Sequence, residues 1–361
     1  MQKFPVDPNI AKAKTIHTDF YTSQAMFEDC KEKIFANSWQ YIGSKQNFGD
    51  GNNAYPFILL EHFLNEPLVL TKDKDEEIKL LSNVCTHRGN ILVDGTCSIT
   101  HLRCKYHGRT FHLNGEFNSM PEFKEVENFP SEADHLKSLS IYKWSQFLFT
   151  TLNSKYSIDV FLKDMMERVA WMPLDDFKYR PDLSKKFLVK ANWALYCENY
   201  LEGFHVPFVH AELNSVLSFG DYTTELFFPY SSLQLGIGKS KEDCFDLPES
   251  SPDFGKNIAA YYFWVFPNMM FNFYPWGLSI NIVRPIAVDK TEVEFISFVW
   301  DECKMDKGAG AGLDRVEKED EDIVENVQKG VRSRFYTQGR YSTTKEQGTH
   351  HFHQILSEFI K

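Results

Sequence analysis

Cys85-Thr-His87-Arg88-Gly89 and, after sixteen intervening residues, Cys104-Lys-Tyr-His107-Gly108 decide how this chain is read. Each stretch carries one cysteine and one histidine within a short loop. Two such loops held side by side offer four donors to one centre. Two thiolates and two imidazoles suit a [2Fe–2S] cluster in which one iron takes the sulfurs and the other the nitrogens. A structural zinc ion takes the same donor list. The spacing speaks against zinc, because each loop mixes the two residue types, whereas the common zinc finger keeps its cysteines and histidines apart.

Outward from these loops, the stretch from about Trp39 to Leu148 reads as a small β domain. Pro56–Leu60, Pro67–Leu70 and Ile78–Val84 are short apolar runs broken by turn residues, as strands require. Before it, Thr22–Asn37 has near-helical apolar spacing. After it, Ile158–Trp171 predicts an amphipathic helix with Val160, Phe161, Met165, Val169 and Ala170 on one side. Ala194–Val209 predicts a helix bearing polar groups, and Tyr261–Trp300 reads as strands dense in Phe, Trp, Ile and Val. Lys304–Gly312 is a Gly-rich loop, and Val316–Ser333 a charged amphipathic helix. The expected fold class is α+β, with an all-β domain at 39–148. A larger α+β domain, from 1–38 and 149–361, has an antiparallel sheet flanked by helices.

The chain has 361 residues and a net charge of −11. With that charge a nucleic-acid surface is not the default reading. No apolar run reaches the length of a membrane span, and Met1–Asp7 does not read as a secretory signal. Seven cysteines in a chain this long do not suggest a disulfide scaffold, so the cytoplasm is the expected compartment. Cys30, Cys97, Cys197, Cys244 and Cys303 are expected to be packed thiols. His101 and His112 flank the second loop without matched partners.

A second constellation lies at Asn199-Tyr-Leu-Glu202-Gly-Phe-His205-Val-Pro207-Phe-Val-His210. Two histidines and one distant acid can occupy one face of an iron and leave positions open. Residues five apart on an ideal helix point about 140° apart, so both histidines reach one metal only if the helix widens or breaks between them. Pro207 and a π-type irregularity are the expected means. The third donor must come from downstream, and Glu317 to Gln328 holds many acids between which composition does not choose.

These segments together resemble the Rieske non-haem iron oxygenases, the catalytic alpha subunits of the ring-hydroxylating family. The two Cys/His loops look like that family's cluster loops, except that Lys105 stands where Pro is commoner and Arg109 where Trp is. Neither position is a ligand, so docking or tuning is touched rather than binding. The Asn-Tyr-x-Glu segment running into His-x₄-His resembles the mononuclear-iron motif. Phe273–Gly277, Gln338–Tyr341 and His350–His353 resemble segments of the choline monooxygenase- and carnitine oxygenase-like branch. The matching motifs run from about Trp39 to His353.

The resemblance implies a [2Fe–2S] cluster on Cys85, His87, Cys104 and His107, and Fe(II) on His205, His210 and Asp320. Asp320 is chosen by the family's Glu-Asp pair placed eight residues before Gln328-Lys-Gly330, with Asp322 as the fallback. It implies that Glu202 bridges the two centres across a subunit boundary of a homotrimer. Many ring-hydroxylating members have Asp there, and members acting on choline-like or carnitine-like substrates commonly have Glu. The implied activity is hydroxylation, or oxidative N-dealkylation, of a small organic substrate with O₂ and electrons from a separate NAD(P)H-dependent reductase or ferredoxin. No complete nucleotide motif is present in the chain itself. A quaternary ammonium substrate comes first, and nine aromatics in Tyr261–Trp276 form either a cage for it or a buried strand. The alternatives are a ring-hydroxylating dioxygenase acting on an aromatic compound, an electron-transfer protein with an inactive second domain, and a zinc-stabilised binding module.

Overall fold

The computed structural model describes residues 4–305 and 307–361. They fall into two compact units, Trp39–Ser154 and a larger one made of residues 4–38 with Lys155–Lys361.

The smaller unit is all antiparallel β. β1 (Gln40–Ser44), β2 (Ala54–Leu59), β3 (Glu66–Lys72), β4 (Ile78–Ser82), β5 (Leu102–Arg103), β6 (Thr110–Phe111), β7 (Phe117–Ser119), β8 (Ser138–Leu139), β9 (Ile141–Trp144) and β10 (Phe147–Thr150) form three sheets. Their orders are β1-β10-β9, β2-β3-β4-β8 and β5-β6-β7. β3 is buried on both faces, because period-2 alternation sends Leu68 and Leu70 into one apolar cluster and Val69 into another. Leu80 and Leu81 of β4 divide the same way. The Val69/Leu81 cluster contains Cys85 and Cys104, so both thiols sit in the core.

Arg109 closes the second Cys/His loop and is buried with its guanidinium over the rings of Phe111, Phe117 and Phe129, at 5.6, 5.0 and 5.4 Å. Its Nη2 donates to Asp134 Oδ1 at 2.6 Å. A planar cation that stacks on aromatic faces is a sound replacement for an indole at this position. Arg109 is therefore an internal strut, while Lys105 is exposed beside Asp94.

The larger unit is built on an eight-stranded antiparallel sheet. Its strands are β11 (Lys178–Tyr179), β12 (Lys185–Val189), β13 (Thr223–Phe227), β14 (Ser231–Ile237), β15 (Ile258–Val265), β16 (Met269–Tyr274), β17 (Gly277–Ala287) and β18 (Lys290–Val299). The order is β11-β18-β17-β16-β15-β14-β13, with β12 also pairing β18. The helices are α1 (Asp19–Thr22), α2 (Gln24–Lys33), α3 (Asp159–Arg168), α4 (Trp193–Tyr200), α5 (Val206–Val209), α6 (Ala211–Val216), α7 (Leu313–Gly330) and α8 (Gln347–Phe359). The α+β class expected from the sequence is the one observed. No helix among the described residues is long and apolar enough to cross a membrane.

Three expectations are corrected. In α3 the buried row is Phe161, Leu162, Met165 and, just past its end, Val169, while Val160 and Ala170 are exposed. Val160 precedes the Phe161–Met165–Val169 row by one residue, about 100° round the helix. Ala194–Val209 is not one helix, since α4 ends at Tyr200 and α5 is a single turn. Cys303 is exposed and Cys97 half-buried, so only Cys30, Cys197 and Cys244 of the remaining thiols are buried.

Asp253 is fully buried and held by Arg168 Nε at 2.6 Å, Lys256 Nζ at 2.8 Å and the Tyr261 hydroxyl at 3.1 Å. Burial opposes its ionisation, but Lys256 and Arg168 outweigh that and hold the carboxyl below its ordinary range. A folded-state pKa below the unfolded one contributes stability that is whole above about pH 4 and is lost as pH falls through the folded value. Asp253→Ala leaves the half-buried Arg168 with Glu225 as its remaining carboxylate and should cost about 1.5–3 kcal/mol at neutral pH. Urea melts should show a gap between wild type and variant that is flat from pH 6 to 8 and narrows below pH 4.

Candidate metal centres and active site

The two Cys/His loops share one hydrogen-bond pattern. Cys85 N–H donates to Asn90 O and Gly89 N–H to Cys85 O, at 2.8 and 3.0 Å; Cys104 N–H donates to Arg109 O and Gly108 N–H to Cys104 O at the same distances. Gly89 and Gly108 have φ of +72° and +77°, a region that L side chains rarely adopt, which is why each loop closes on glycine. The first loop follows β4 and is closed by the Val84–Ile91 bridge; the second joins β5 to β6. The cysteines face the core, whereas His87 is half-buried and His107 exposed. The two imidazoles lie 4.9 Å apart, centroid to centroid.

Burial raises both thiols, but the backbone N–H groups of Tyr106 and His107 aimed at Cys104 sulfur outweigh this and hold Cys104 below the ordinary thiol value. Cys85, buried against it, is raised. Burial and the neighbouring His107, Arg109 and Arg88 push His87 down, toward the neutral imidazole that a metal-binding nitrogen needs. Two sulfurs that accept amide hydrogen bonds, facing two imidazoles, form a donor set that fits a cluster with one sulfur-bound and one nitrogen-bound iron. His101 and His112 stand beside each other, 5.4 Å apart, and are partners of one another.

In the larger unit, His205, His210 and Asp320 are brought together, with one potential donor atom from each within 4.8 Å of the others. The device differs from the expected one. His205 precedes the first residue of α5 and His210 follows its last, so one helical turn sets the two rings 5.1 Å apart with no π-type widening. Pro207 occupies the first turn, where a missing N–H leaves nothing unsatisfied, so it starts this helix rather than breaking one. Asp320 comes from α7. Asp322 lies about 200° further round that helix and is exposed.

His205 Nε2 is 3.5 Å, and His210 Nε2 3.0 Å, from the same oxygen, Asp320 Oδ1. Each ring has a carboxylate on its other nitrogen: Glu202 Oε1 on His205 Nδ1 at 2.8 Å, and Glu319 Oε2 on His210 Nδ1 at 2.7 Å. A carboxylate on Nδ1 fixes the proton there and leaves the Nε2 lone pair facing Asp320. Metal bonds of about 2.1 Å place adjacent donors about 3 Å apart, close to what is observed. Burial pulls His210 down, but Asp320 and Glu319 outweigh it and raise its pKa, a sign that the site calls for positive charge.

α4 and α7 are tied by polar contacts. Asn192 N–H donates to Gln328 Oε1 at 2.7 Å, Tyr196 Oη to Glu317 Oε2 at 2.5 Å, and Asn199 Nδ2 to Asp320 Oδ1 at 2.6 Å. A cavity of about 770 Å³, part of it open to solvent, lies over the three donors. Tyr196, Tyr200, Tyr222, Tyr262, Tyr274 and Phe295 line it, together with Glu202, Gln234, Asn272, Asn281 and Glu317. Gln234, Tyr262, Asn272 and Ser279 follow one another across β14 to β17 in register. The Tyr261–Trp276 window is thus strand throughout its sheet-forming parts, and alternate residues also face the cavity. Gly203 leaves room for Tyr222, since a Cβ there would meet the Tyr222 ring at 2.5 Å.

The sequence reading missed Glu319, Asn199, Glu317 and the tyrosines. Glu319 carried a signal as the first member of the Glu-Asp pair. The amides carried another, because Asn and Gln are costly in the middle of an aromatic sheet unless they face something polar.

Residues 164–361 match the family model of the ring hydroxylating alpha subunit (catalytic domain), and residues 38–130 match that of the Rieske [2Fe-2S] domain. The chain belongs to the ring-hydroxylating alpha subunit family. It is a Rieske-type non-haem iron oxygenase, and its cofactors are a [2Fe–2S] cluster and a mononuclear iron. Similar proteins include the chloroplastic choline monooxygenase of Arabidopsis thaliana, 29% identical over 98% of this chain and 85% of the relative. The carnitine monooxygenase oxygenase subunit of Escherichia coli K12 is 28% identical over 98% of this chain and 96% of its own. A solved quaternary ammonium Rieske monooxygenase matches the whole of both chains with a TM-score of 0.81 at 25% identity. Naphthalene 1,2-dioxygenase with bound indole shares the fold, with a TM-score of 0.72 over 98% of this chain and 94% of its own at 18% identity.

Removing the carboxylate behind a metal-binding histidine weakens the metal about 10–100-fold. Glu319→Gln should therefore lose mononuclear iron at a correspondingly higher free-iron concentration, with the visible absorption of the cluster unchanged. Asp322→Ala should retain both metals. Iron titration followed by absorption spectroscopy separates these outcomes.

Proposed function

We propose that this chain is the oxygenase component of a system that hydroxylates a small quaternary ammonium compound. Cys85, His87, Cys104 and His107 hold the cluster, and His205, His210 and Asp320 the iron. When bound, these groups supply single electrons and the reduction of O₂; the chain's residues do the rest. Asn199 and the α4–α7 ties orient Asp320. Glu202 holds the Nδ1 proton of His205 and stands at the bridge between centres of neighbouring subunits in a trimer. Phe204 and Phe208, 41% and 80% exposed beside it, offer an apolar surface for that contact.

The observation that carries the substrate reading is the tyrosine lining of the cavity. Electron-rich ring faces attract an ammonium that cannot donate hydrogen bonds. Support comes from the similarity to the choline and carnitine monooxygenases and to the solved quaternary ammonium Rieske monooxygenase, a structure described as giving insight into inter-subunit electron transfer. Hydroxylation of a carbon attached to nitrogen gives a carbinolamine, which collapses with C–N cleavage to an amine and an aldehyde. The reductase or ferredoxin is a separate protein, and its approach is to the exposed imidazole edge of the cluster loops. A cytoplasmic location fits the seven free cysteines.

With holoenzyme, a reductase and NADH, O₂ uptake should rise with choline, glycine betaine or L-carnitine and yield product in step. Turnover of naphthalene or benzoate with none of the ammonium compounds would contradict the proposal. Glu202→Gln should lower kcat by about 100-fold or more even at a free-iron concentration high enough to refill the mononuclear site, which the same change weakens through His205.

A further inference from the structure

The charge of the cavity lining goes further than the general ammonium reading, on which this inference rests. Among the described residues, three carboxylates line the cavity, Glu202, Glu317 and Asp320, and no lysine or arginine does. When all three are ionised they outweigh a divalent iron. Asp320 belongs to the metal site and Glu202 to His205, so Glu317 is the carboxylate left for a ligand. It is 2% exposed. One oxygen accepts from Tyr196, and the other, Oε1, has no hydrogen-bond partner. In the lining, one further buried side-chain atom is without a partner, Gln234 Oε1, and it too is an acceptor.

The amide donors are mostly committed. Asn199 Nδ2 is given to Asp320 and Gln234 Nε2 to Tyr200 O, each at 2.6 Å. Asn272 and Asn281 have neutral amides only, which do not balance a full negative charge. A buried carboxylate without a cationic partner is costly enough to be rejected. We infer that the substrate is an ammonium compound without a carboxylate, a cationic amino alcohol or alkylammonium rather than a betaine-type zwitterion. Glu317 is the residue that selects its charge. The ammonium lies among the tyrosine faces with Glu317 as counter-charge, and a hydroxyl on the ligand can donate to Gln234 Oε1. In the empty cavity, burial and the nearby Asp320 push the Glu317 carboxyl up to about 8, and a seated cation favours the ionised form.

The test is isothermal titration of the anaerobic, iron-loaded holoenzyme with choline, glycine betaine and 3,3-dimethylbutan-1-ol, the uncharged carbon isostere of choline. Choline should bind at least about tenfold tighter than either of the others. Glu317→Gln should shrink the choline-to-isostere ratio by about tenfold and leave the isostere's Kd within about twofold. Betaine binding as tightly as choline would overturn the inference, and that comparison needs no variant. So would an unchanged choline-to-isostere ratio in a folded Glu317→Gln protein. If betaine binds and choline does not, the ammonium reading stands and only this inference fails. If neither binds, the proposed function falls as well.

Discussion

Two carboxylates hold two imidazoles by their Nδ1 protons, and the site of the larger unit depends on that constraint. Glu202 and Glu319 leave the Nε2 atoms of His205 and His210 facing one oxygen of Asp320. Lone pairs facing a carboxylate oxygen at this distance repel unless a cation or a proton lies between them. The rest of the local structure serves to hold that arrangement. One turn of helix spaces the histidines, and the amide of Asn199 fixes the acid. Gln328, in the last turn of α7, anchors that helix to the start of α4.

The smaller unit solves a related problem with less machinery. Two loops of the same hydrogen-bond pattern, each closed by a glycine at positive φ, put two thiols in the core and two imidazoles toward the surface. Amide hydrogen bonds to the Cys104 sulfur favour its thiolate in a place where burial opposes it, while burial raises Cys85. Arg109 stiffens the second loop from inside through three aromatic rings and Asp134.

Much of this was legible from local sequence. The Cys/His loops need only residue type and spacing, and the strands of both units follow from short apolar runs between turn residues. The pairing of His205 with His210 was legible as a pair but not as a geometry, because a five-residue spacing says nothing about where a helix restarts. Pro207 was read as a breaker when it is a helix starter, and the two roles differ only in where the preceding turn ends. Asp320 over Asp322 was legible by resemblance alone; the physical reason, about 200° of helix rotation, needs the position of α7. Glu317 was hidden in a charge run that composition reads as a solvated face, and only its packing against Tyr196 singles it out. The cavity tyrosines were hidden for the opposite reason, since an aromatic strand looks the same whether one face meets a core or a ligand.

X-ray diffraction from crystals of the holoenzyme, measured on both sides of the iron absorption edge, tests the central claim most directly. The account predicts one anomalous iron peak bounded by His205 Nε2, His210 Nε2 and Asp320, and a resolved or merged iron pair between the Cys85/Cys104 sulfurs and the His87/His107 rings. An empty triad in iron-replete crystals, or a signal at the four-residue site that appears at the zinc edge instead, would contradict it.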